Sequence, residues 1–317
     1  MCIALLPVDF SKTLAAIHEF TREGMLYHLG LYANSVRPFN ETLLSYSRQQ
    51  SRNLATAMSG STTILAEPSF QTGSRNAMVL TIPVKQGYQM SRDNIVLFDG
   101  DPLKTMKEAY EAKLAEGMRG SRGFRSKSLS FSPYIDIFEV GAYTVCLTNS
   151  LYNLDHILSE WDITGVASAS QELLDSFDSA VPSGYTYLVA IFNPEAGVEF
   201  TSQTIGWYYP PANQDLLVIP GLDCHTGKHF SVEDLVARDH LLFFSSEELT
   251  EEHGGISISY DSGFSEGQLQ YLPKRVKAVK VSQQTRNGDF VLSRKTLFAD
   301  DSFQLGQEQL RYEVVNL

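Results

Sequence analysis

The sequence predicts an α+β fold dominated by β-structure, with antiparallel or mixed sheets and several helices. The 317 residues include 15 Tyr and 18 Phe, and many of these lie in short apolar segments, a composition that favours strands. Segments with helical apolar spacing are fewer and alternate with the strands. Hydrophobic residues make up 43% and charged residues 20% of the chain, which is the balance of an ordinary globular protein.

The first part of the chain contains predicted strands at 1–8, 25–36, 76–84 and 94–98. Ser11, which follows the first of them, is a residue type that caps helices. Leu14, Ile17 and His18 come next at i, i+3, i+4 spacing. This spacing predicts a helix over 12–23.

Further helices are predicted from start signals and apolar stripes. The clearest begins at Pro102 and runs to residue 118, because proline suits the first helical turn. Asn149 is predicted to cap a helix that ends at Trp161. Two more helical segments cover 40–58 and 171–177.

Residues 121–133 are predicted to form a flexible linker, because they are rich in glycine, serine and arginine and lack aliphatic periodicity. The linker would divide the chain into an N-terminal β-rich unit with helices at 1–120 and a second β-rich unit at 134–317. The two units could equally pack as one globule.

The second unit contains predicted strands at 135–140, 142–148, 185–195, 204–211, 215–220, 239–246 and 255–260. Asn287-Gly288 stands between two strand-like segments and predicts a hairpin, since this dipeptide accepts positive φ. The tail at 310–317 is predicted to close a sheet edge.

Three segments of the second unit resemble three of the first in the same order, which suggests an internal duplication of a β-rich unit. The paired segments are 27–36 with 185–195, 77–84 with 204–211, and 94–99 with 215–220. Chance similarity between short apolar segments is the alternative explanation.

The bulk properties exclude some partners. A net charge of −12 makes nucleic acid an improbable partner, because phosphate contacts need a basic face, and it disfavours anionic membranes. The sequence offers no signal peptide and no apolar stretch long enough to span a bilayer. We therefore expect a cytoplasmic protein whose partner is a small molecule or a protein. A homo-oligomer is compatible with the sequence.

A polar segment between Leu222 and His240 contains three of the seven histidines. Zinc or another divalent metal would be held there by Asp223, His225, His229 and His240. Asp239 would then accept a proton from the metal-bound water. Because the spacing matches no compact metal motif, the alternative is a polar surface loop whose side chains bond the backbone.

The chain has three cysteines, too few for a disulfide framework. Cys2 would become an N-terminal nucleophile if Met1 were removed, since its own α-amine could serve as the base. Cys224 adjoins His225, but neighbouring residues of an extended chain point to opposite sides, so an inert buried thiol is the better interpretation.

The segment Gly263-Phe-Ser-Glu-Gly267 matches the Gly-x-Ser-x-Gly pattern of a nucleophile elbow. Hydrolases with this elbow have their catalytic histidine after the serine. No histidine follows Ser265 in this sequence, so a glycine-rich turn is expected.

Three functional hypotheses result. The first is a binding or interaction protein without catalysis, because no catalytic motif stands in its proper context. The second is a metal-assisted hydrolase with its site at 223–240. The third is a cysteine hydrolase that uses Cys2.

Overall fold

The computed structural model describes residues 3–6, 8–37, 75–116, 138–140, 143–160, 163–192, 200–201, 204–260 and 263–316. Three sequence predictions lie outside these ranges: the helix at 40–58, the linker at 121–133 and the nucleophile Cys2.

The structure is rich in strands. In chain order they are β1 (Ile3–Ala4), β2 (Asp9–Arg22), β3 (Met25–Arg37), β4 (Asn76–Ile82), β5 (Ile95–Val96), β6 (Phe138–Val140), β7 (Tyr143–Thr148), β8 (Thr186–Phe192), β9 (Phe200–Thr201), β10 (Ile205–Tyr209), β11 (Leu216–Ile219), β12 (Leu235–Ala237), β13 (His240–Ser246), β14 (Ile256–Ser257), β15 (Arg275–Val281), β16 (Gln284–Arg286), β17 (Asp289–Ser293) and β18 (Arg311–Glu313).

The α-helices of the described ranges are α1 (Pro102–Glu116), α2 (Leu154–Glu160), α3 (Gln171–Ala180), α4 (Glu266–Leu269) and α5 (Arg294–Ala299). Among them, none combines the length and the apolar character needed to cross a bilayer.

Two large sheets carry the fold. An antiparallel sheet has the order β1-β4-β8-β7-β6, and a mixed sheet has the order β14-β15-β13-β2-β3-β10-β5, with β9 paired to β3. The only parallel pair recorded in the mixed sheet, within the described ranges, is β2 with β13. Smaller sheets join β11-β17-β18 and β12-β16. Both large sheets combine strands from before and after residues 117–137, so the two predicted units share their sheets.

Three apolar clusters hold these layers together. The largest contains side chains of both large sheets, such as Leu188 and Trp207, and therefore lies between them. A second cluster packs α2 and α3 on the outer face of the antiparallel sheet. The third packs α1 on the outer face of the mixed sheet through Leu103, Met106 and Tyr110. Burying apolar surface on both faces of each sheet is the main stabilising contribution.

The helix predicted over 12–23 is wrong, because this segment is strand β2. Ala15 and Ile17 face the cluster between the sheets, whereas Ala16 and Phe20 face the cluster beneath α1. A strand buried on both faces is apolar at nearly every position, and such a run contains helical spacing by chance. Lys12, with φ 51°, marks a bulge near the start of the strand.

The hairpin predicted at Asn287-Gly288 is also wrong. β16 pairs with β12, and β17 pairs with β11 and β18, so the strands on either side of this dipeptide do not pair with each other. Neither residue has a positive φ. The side chain of Asn287 is instead buried and bonded to the chain elsewhere.

Most other element predictions are confirmed, with shorter bounds in some cases. β3, β4, β8, α1 and α3 occur where the sequence places them. The strand expected at 94–98 is reduced to β5, and the helix expected from Asn149 begins as an α-helix only at Leu154. The tail does form the edge strand β18. The structure does not show the internal duplication.

Candidate functional site

The polar segment that follows β11 enters a buried cluster of charged and amide side chains. The Asn287 amide oxygen accepts from the Asp223 N–H at 2.8 Å, and its nitrogen donates to the Asp223 carbonyl at 2.9 Å. The Gly221 N–H donates to the Asp289 carboxylate at 2.8 Å. The strand ends of β12, β16 and β17 thus bring distant residues to one short segment.

Arg238 is the cation of this cluster and is only 5% exposed. It donates to the Gly221 carbonyl at 2.8 Å, to the Thr285 hydroxyl at 2.9 Å and to the Arg286 carbonyl at 3.1 Å. Its guanidinium carbon lies 5.1 Å from the ring centroid of Phe290. Burial lowers its pKa to about 10, so it stays charged at neutral pH.

Two buried carboxylates near Arg238 differ in protonation. Burial raises the pKa of Asp289 to about 7, against the lowering effects of its bonds from backbone amides and of Arg238. Burial also acts to raise the pKa of Asp223, but the nearby His225 and Arg238 outweigh it, so that this pKa is lowered. His225 Nε2 lies 2.8 Å from Asp223 Oδ1. Asp223 and His225 are thus bound to each other.

The other predicted metal ligands lie apart from this pair or face other groups. His229 is exposed, and its Nδ1 bonds Ser176 Oγ of α3 at 2.9 Å. His240 is buried against Phe290, and neither ring nitrogen has a hydrogen-bond partner in the part of the chain that the structure describes. Burial lowers the His240 pKa well below its ordinary value. Asp239 is exposed.

The expected centre of Asp223, His225, His229 and His240 is therefore not assembled. Across the part of the chain that the structure describes, no group of three or more His, Cys, Asp or Glu side chains is placed to hold a metal ion. The sequence predicted a polar cluster at this segment, but its side chains have separate partners. Asp223 and His225 contact each other, His229 bonds the Ser176 hydroxyl, and His240 packs against Phe290.

The candidate nucleophiles show no catalytic geometry in the described ranges. Cys224 is buried, with Sγ 3.4 Å from both Thr226 Oγ1 and the Lys228 carbonyl oxygen, while His225 bonds Asp223 instead. Ser265 is the N-cap of the four-residue helix α4, so a short helix stands where a glycine-rich turn was expected.

The sequence did not reveal the roles of Arg238, Asn287 and Asp289. Asn287-Gly288-Asp289 carried a hairpin signal, and that signal concealed side chains that bond another segment. The Arg238-Asp239 pair directly before the apolar strand β13 could have indicated a cluster, since charged residues are seldom buried unless paired.

Replacing Asn287 with alanine should lower the free energy of unfolding by about 2 kcal/mol, because a buried N–H and a buried carbonyl lose their partners. Urea unfolding measures this change. Asn213→Ala is the matched control, since exposed Asn213 accepts one bond from Asp215 N–H. Equal losses in both variants would contradict the assignment.

A small cavity lies beside the buried cluster, lined by His28, Tyr209, Leu216, Val218 and Val315 among others. Among the described residues, the ring nitrogens of His28 and the hydroxyl of Tyr209 have no hydrogen-bond partner. The space suits a single water molecule rather than a substrate.

A different feature lies at the surface, at the turn between β2 and β3. We call it the aromatic surface, and it consists of Phe20, Arg22, Met25, Tyr27, Tyr208 and Tyr271. The turn residues Glu23 and Gly24 have φ of 52° and 77°, the conformation of a tight two-residue hairpin. The aromatic surface thus combines the hairpin with β10 and with the segment after α4.

The four rings of the aromatic surface contact one another. Tyr208 and Tyr271 are stacked with centroids 5.7 Å apart. Tyr27 meets Tyr208 edge-on at 5.6 Å, and Phe20 meets Tyr271 edge-on at 5.7 Å. Phe20 and Tyr27 are buried, whereas Tyr208 and Tyr271 are half-buried. Each ring is fixed by its neighbours, because edge-to-face and stacked pairs are favourable.

Apolar and charged groups border these rings. Met25 is 52% exposed, and Leu269, two residues before Tyr271, is 37% exposed. Arg22 Nη1 donates to the Tyr271 hydroxyl at 2.9 Å and, more weakly, to the Tyr208 hydroxyl at 3.5 Å. Trp207 and Tyr209 belong to the cluster between the two large sheets, whereas Tyr208 points to the opposite face because side chains alternate along a strand.

Comparisons with known proteins give little further information. No protein-family model matches the sequence, and no curated protein matches it. Among solved structures, a crystal structure of baculovirus P35 aligns with a TM-score of 0.41 at 11% identity, covering 93% of this chain and 92% of that chain. We base no conclusion on a similarity of this degree.

Proposed function

We propose that this protein is a binding protein rather than an enzyme, and that it binds a partner protein through the aromatic surface. The observation that carries the proposal is the group of half-buried Tyr208 and Tyr271 rings beside the exposed Arg22 and Met25, which three separate segments assemble. Tyr, Met and Arg are enriched in protein–protein interfaces and at their energetic centres.

The packing of the aromatic surface supports binding. The rings already lie in fixed contact with one another, so little side-chain freedom remains to be lost when a partner docks. Met25 is flexible and apolar and can adapt to the partner's shape. The fixed rings thus provide a rigid centre for binding, and Met25 provides a border that can adapt to the partner.

The charge of the chain supports a foreign partner over a second copy. Two copies with a net charge of −12 each repel one another. Arg22 provides a positive charge at the aromatic surface, which is complementary to an acidic or neutral segment of another protein.

The proposal is tested with a phage-displayed library of random peptides, selected on the immobilised full chain. Peptides that are enriched should bind at least about tenfold more weakly to the Tyr271→Ser/Met25→Ser variant, which corresponds to the loss of one interface hot spot. Leu235→Ser is the matched control, because Leu235 is 66% exposed on β12, away from the aromatic surface. Circular dichroism and thermal melting should show that both variants are folded.

Two results would contradict the proposal. One is that no peptide is enriched, or that the enriched peptides bind the double variant as tightly as the original protein. The other is a dimer in sedimentation that dissociates in the double variant, since the aromatic surface would then be covered by a second copy.

A further inference from the structure

We infer that Arg22 and the phenols of Tyr208 and Tyr271 recognise one carboxylate side chain of the partner, flanked by apolar residues. This inference rests on the proposed function and specifies the chemistry of the ligand.

The first step is the direction of the hydrogen bonds. Arg22 has only donors, so the Tyr208 and Tyr271 hydroxyl oxygens accept from it. Each phenol keeps its own proton, which no described residue accepts. The two hydroxyl groups are therefore still able to donate to an acceptor on a ligand.

The second step concerns Arg22 itself, whose side chain is 46% exposed. In the described part of the chain its hydrogen bonds run from Nη1 alone. The nearest recorded carboxylate, Glu23 Oε1, lies 3.9 Å from Nε and belongs to a side chain that is 80% exposed. At this distance Glu23 forms an ion pair without a hydrogen bond. The remaining guanidinium donors are thus available to a ligand.

The third step identifies the anion. A guanidinium and a carboxylate form paired, charge-assisted hydrogen bonds, and the phenols would add further donors. Arg22 is the one cation of the aromatic surface as defined. A phosphate group carries nearly two charges and is usually bound by several arginines. A single carboxylate matches the charge of this site better.

The fourth step concerns the neighbours of the carboxylate. Tyr27 and Phe20 lie behind the two half-buried tyrosines, and Met25 and Leu269 are exposed nearby. An acidic residue bound at Arg22 would place its sequence neighbours over these apolar side chains. The ligand is therefore an Asp or Glu with aliphatic or aromatic residues beside it.

The test uses peptides from the display selection on the full chain. Each enriched peptide is synthesised in three forms: with its acidic residue, with the matching amide (Asp→Asn or Glu→Gln), and with phosphoserine at that position. The acidic form should bind about tenfold more tightly than the amide form. It should also lose affinity as salt concentration rises.

Protein variants locate the effect. Arg22→Gln should weaken the acidic peptide about tenfold and leave the amide peptide almost unchanged, which is the signature of a direct pair in a double-mutant cycle. Tyr208→Phe and Tyr271→Phe keep the rings and remove one donor each, so each should weaken the acidic peptide by a smaller factor. Arg286→Gln is the control, because Arg286 is exposed in an ion pair with Glu233 on the β12-β16 sheet.

The outcomes separate this inference from the proposed function. Enriched peptides that lack acidic residues, or that respond equally to Arg22→Gln in acidic and amide forms, would overturn the inference and leave the binding surface intact. Tighter binding of the phosphoserine form would overturn the choice of carboxylate. Failure to enrich any peptide would overturn the proposed function itself.

Discussion

Replacing Arg238 with methionine should lower the free energy of unfolding by about 3–5 kcal/mol, the usual cost of removing one partner from a buried charged network. The carbonyls of Gly221 and Arg286 would lose their donor inside the protein. Asp223 and Asp289 would lose the positive charge that now acts on both. Methionine fills part of the space, so the loss comes mainly from the polar groups.

Urea unfolding at pH 8 measures this effect, with Arg286→Met as the matched control. The Arg286 side chain is 64% exposed and pairs with an exposed Glu233, so its removal should change stability by less than about 1 kcal/mol. A similar loss in the two variants would show that Arg238 does not hold the cluster together.

The loss of stability caused by Arg238→Met should also depend on pH. Arg238 lowers the pKa of Asp289, so that its removal favours the neutral carboxyl. At pH 5 Asp289 is protonated in the native protein and needs no cation. The destabilisation should therefore be smaller at pH 5 than at pH 8, and a larger value at pH 5 would contradict the proposed contact.

The second large effect is a loss of stability in mild acid. Burial lowers the pKa of His18 to about 3 and that of His28 to about 3, and it lowers the pKa of His240 as well. In the unfolded chain the histidine pKa is about 6.5. Between these values the unfolded state binds protons that the native state does not, so the native state loses stability as pH falls below about 6.5. At pH 5 His18 and His28 each contribute a loss of about 2 kcal/mol, and His240 adds a loss in the same direction.

Asp289 acts in the opposite direction. Its native pKa is about 7, above the unfolded value of about 3.9, so the native state gains stability as pH falls through this window. At pH 5 the gain is about 2–3 kcal/mol, which is smaller than the loss of about 4 kcal/mol from His18 and His28 together. His240 adds to that loss, so the protein should be less stable at pH 5 than at pH 8. Urea unfolding at the two pH values measures the difference.

Two variants separate these contributions. Asp289→Asn removes the offset, so the loss of stability between pH 8 and pH 5 should be about 2–3 kcal/mol larger in this variant than in the original protein. His28→Leu removes one titrating group whose ring nitrogens have no hydrogen-bond partner, and its loss should be about 2 kcal/mol smaller than that of the original protein. Unchanged pH dependence in both variants would show that these groups do not titrate as their burial requires.

Most of these buried groups lie apart from the aromatic surface, but His18 contacts it. The charged cluster around Arg238 holds the segment after β11, whereas binding is assigned to the aromatic surface at the β2-β3 turn. His18 packs against Phe20 at 6.1 Å between ring centroids, so acid unfolding would also affect the base of the aromatic surface. Binding measurements should therefore be made near neutral pH.

The sequence by itself determined the class of fold and many of its elements. A segment rich in aromatic residues predicted β3, an apolar segment predicted β4, and proline at the first turn with a clear apolar stripe predicted α1. These signals are local, since they arise from side-chain periodicity and from backbone preferences within one segment. The segment at 223–240 was likewise recognised as polar and concentrated in titratable residues.

The pairing of the strands and the contacts between distant residues depend on the tertiary fold. β2 is a strand because β13 and β3 pair with it and both of its faces are covered, a condition that no local pattern records. Asn287 leaves the expected hairpin because its amide meets the backbone of Asp223, 64 residues away in sequence. The aromatic surface combines residues from β2, β3, β10 and the segment after α4 in the same way. Pairing and burial are long-range properties, so residues distant in sequence become a cluster or a surface only when the sheets have assembled.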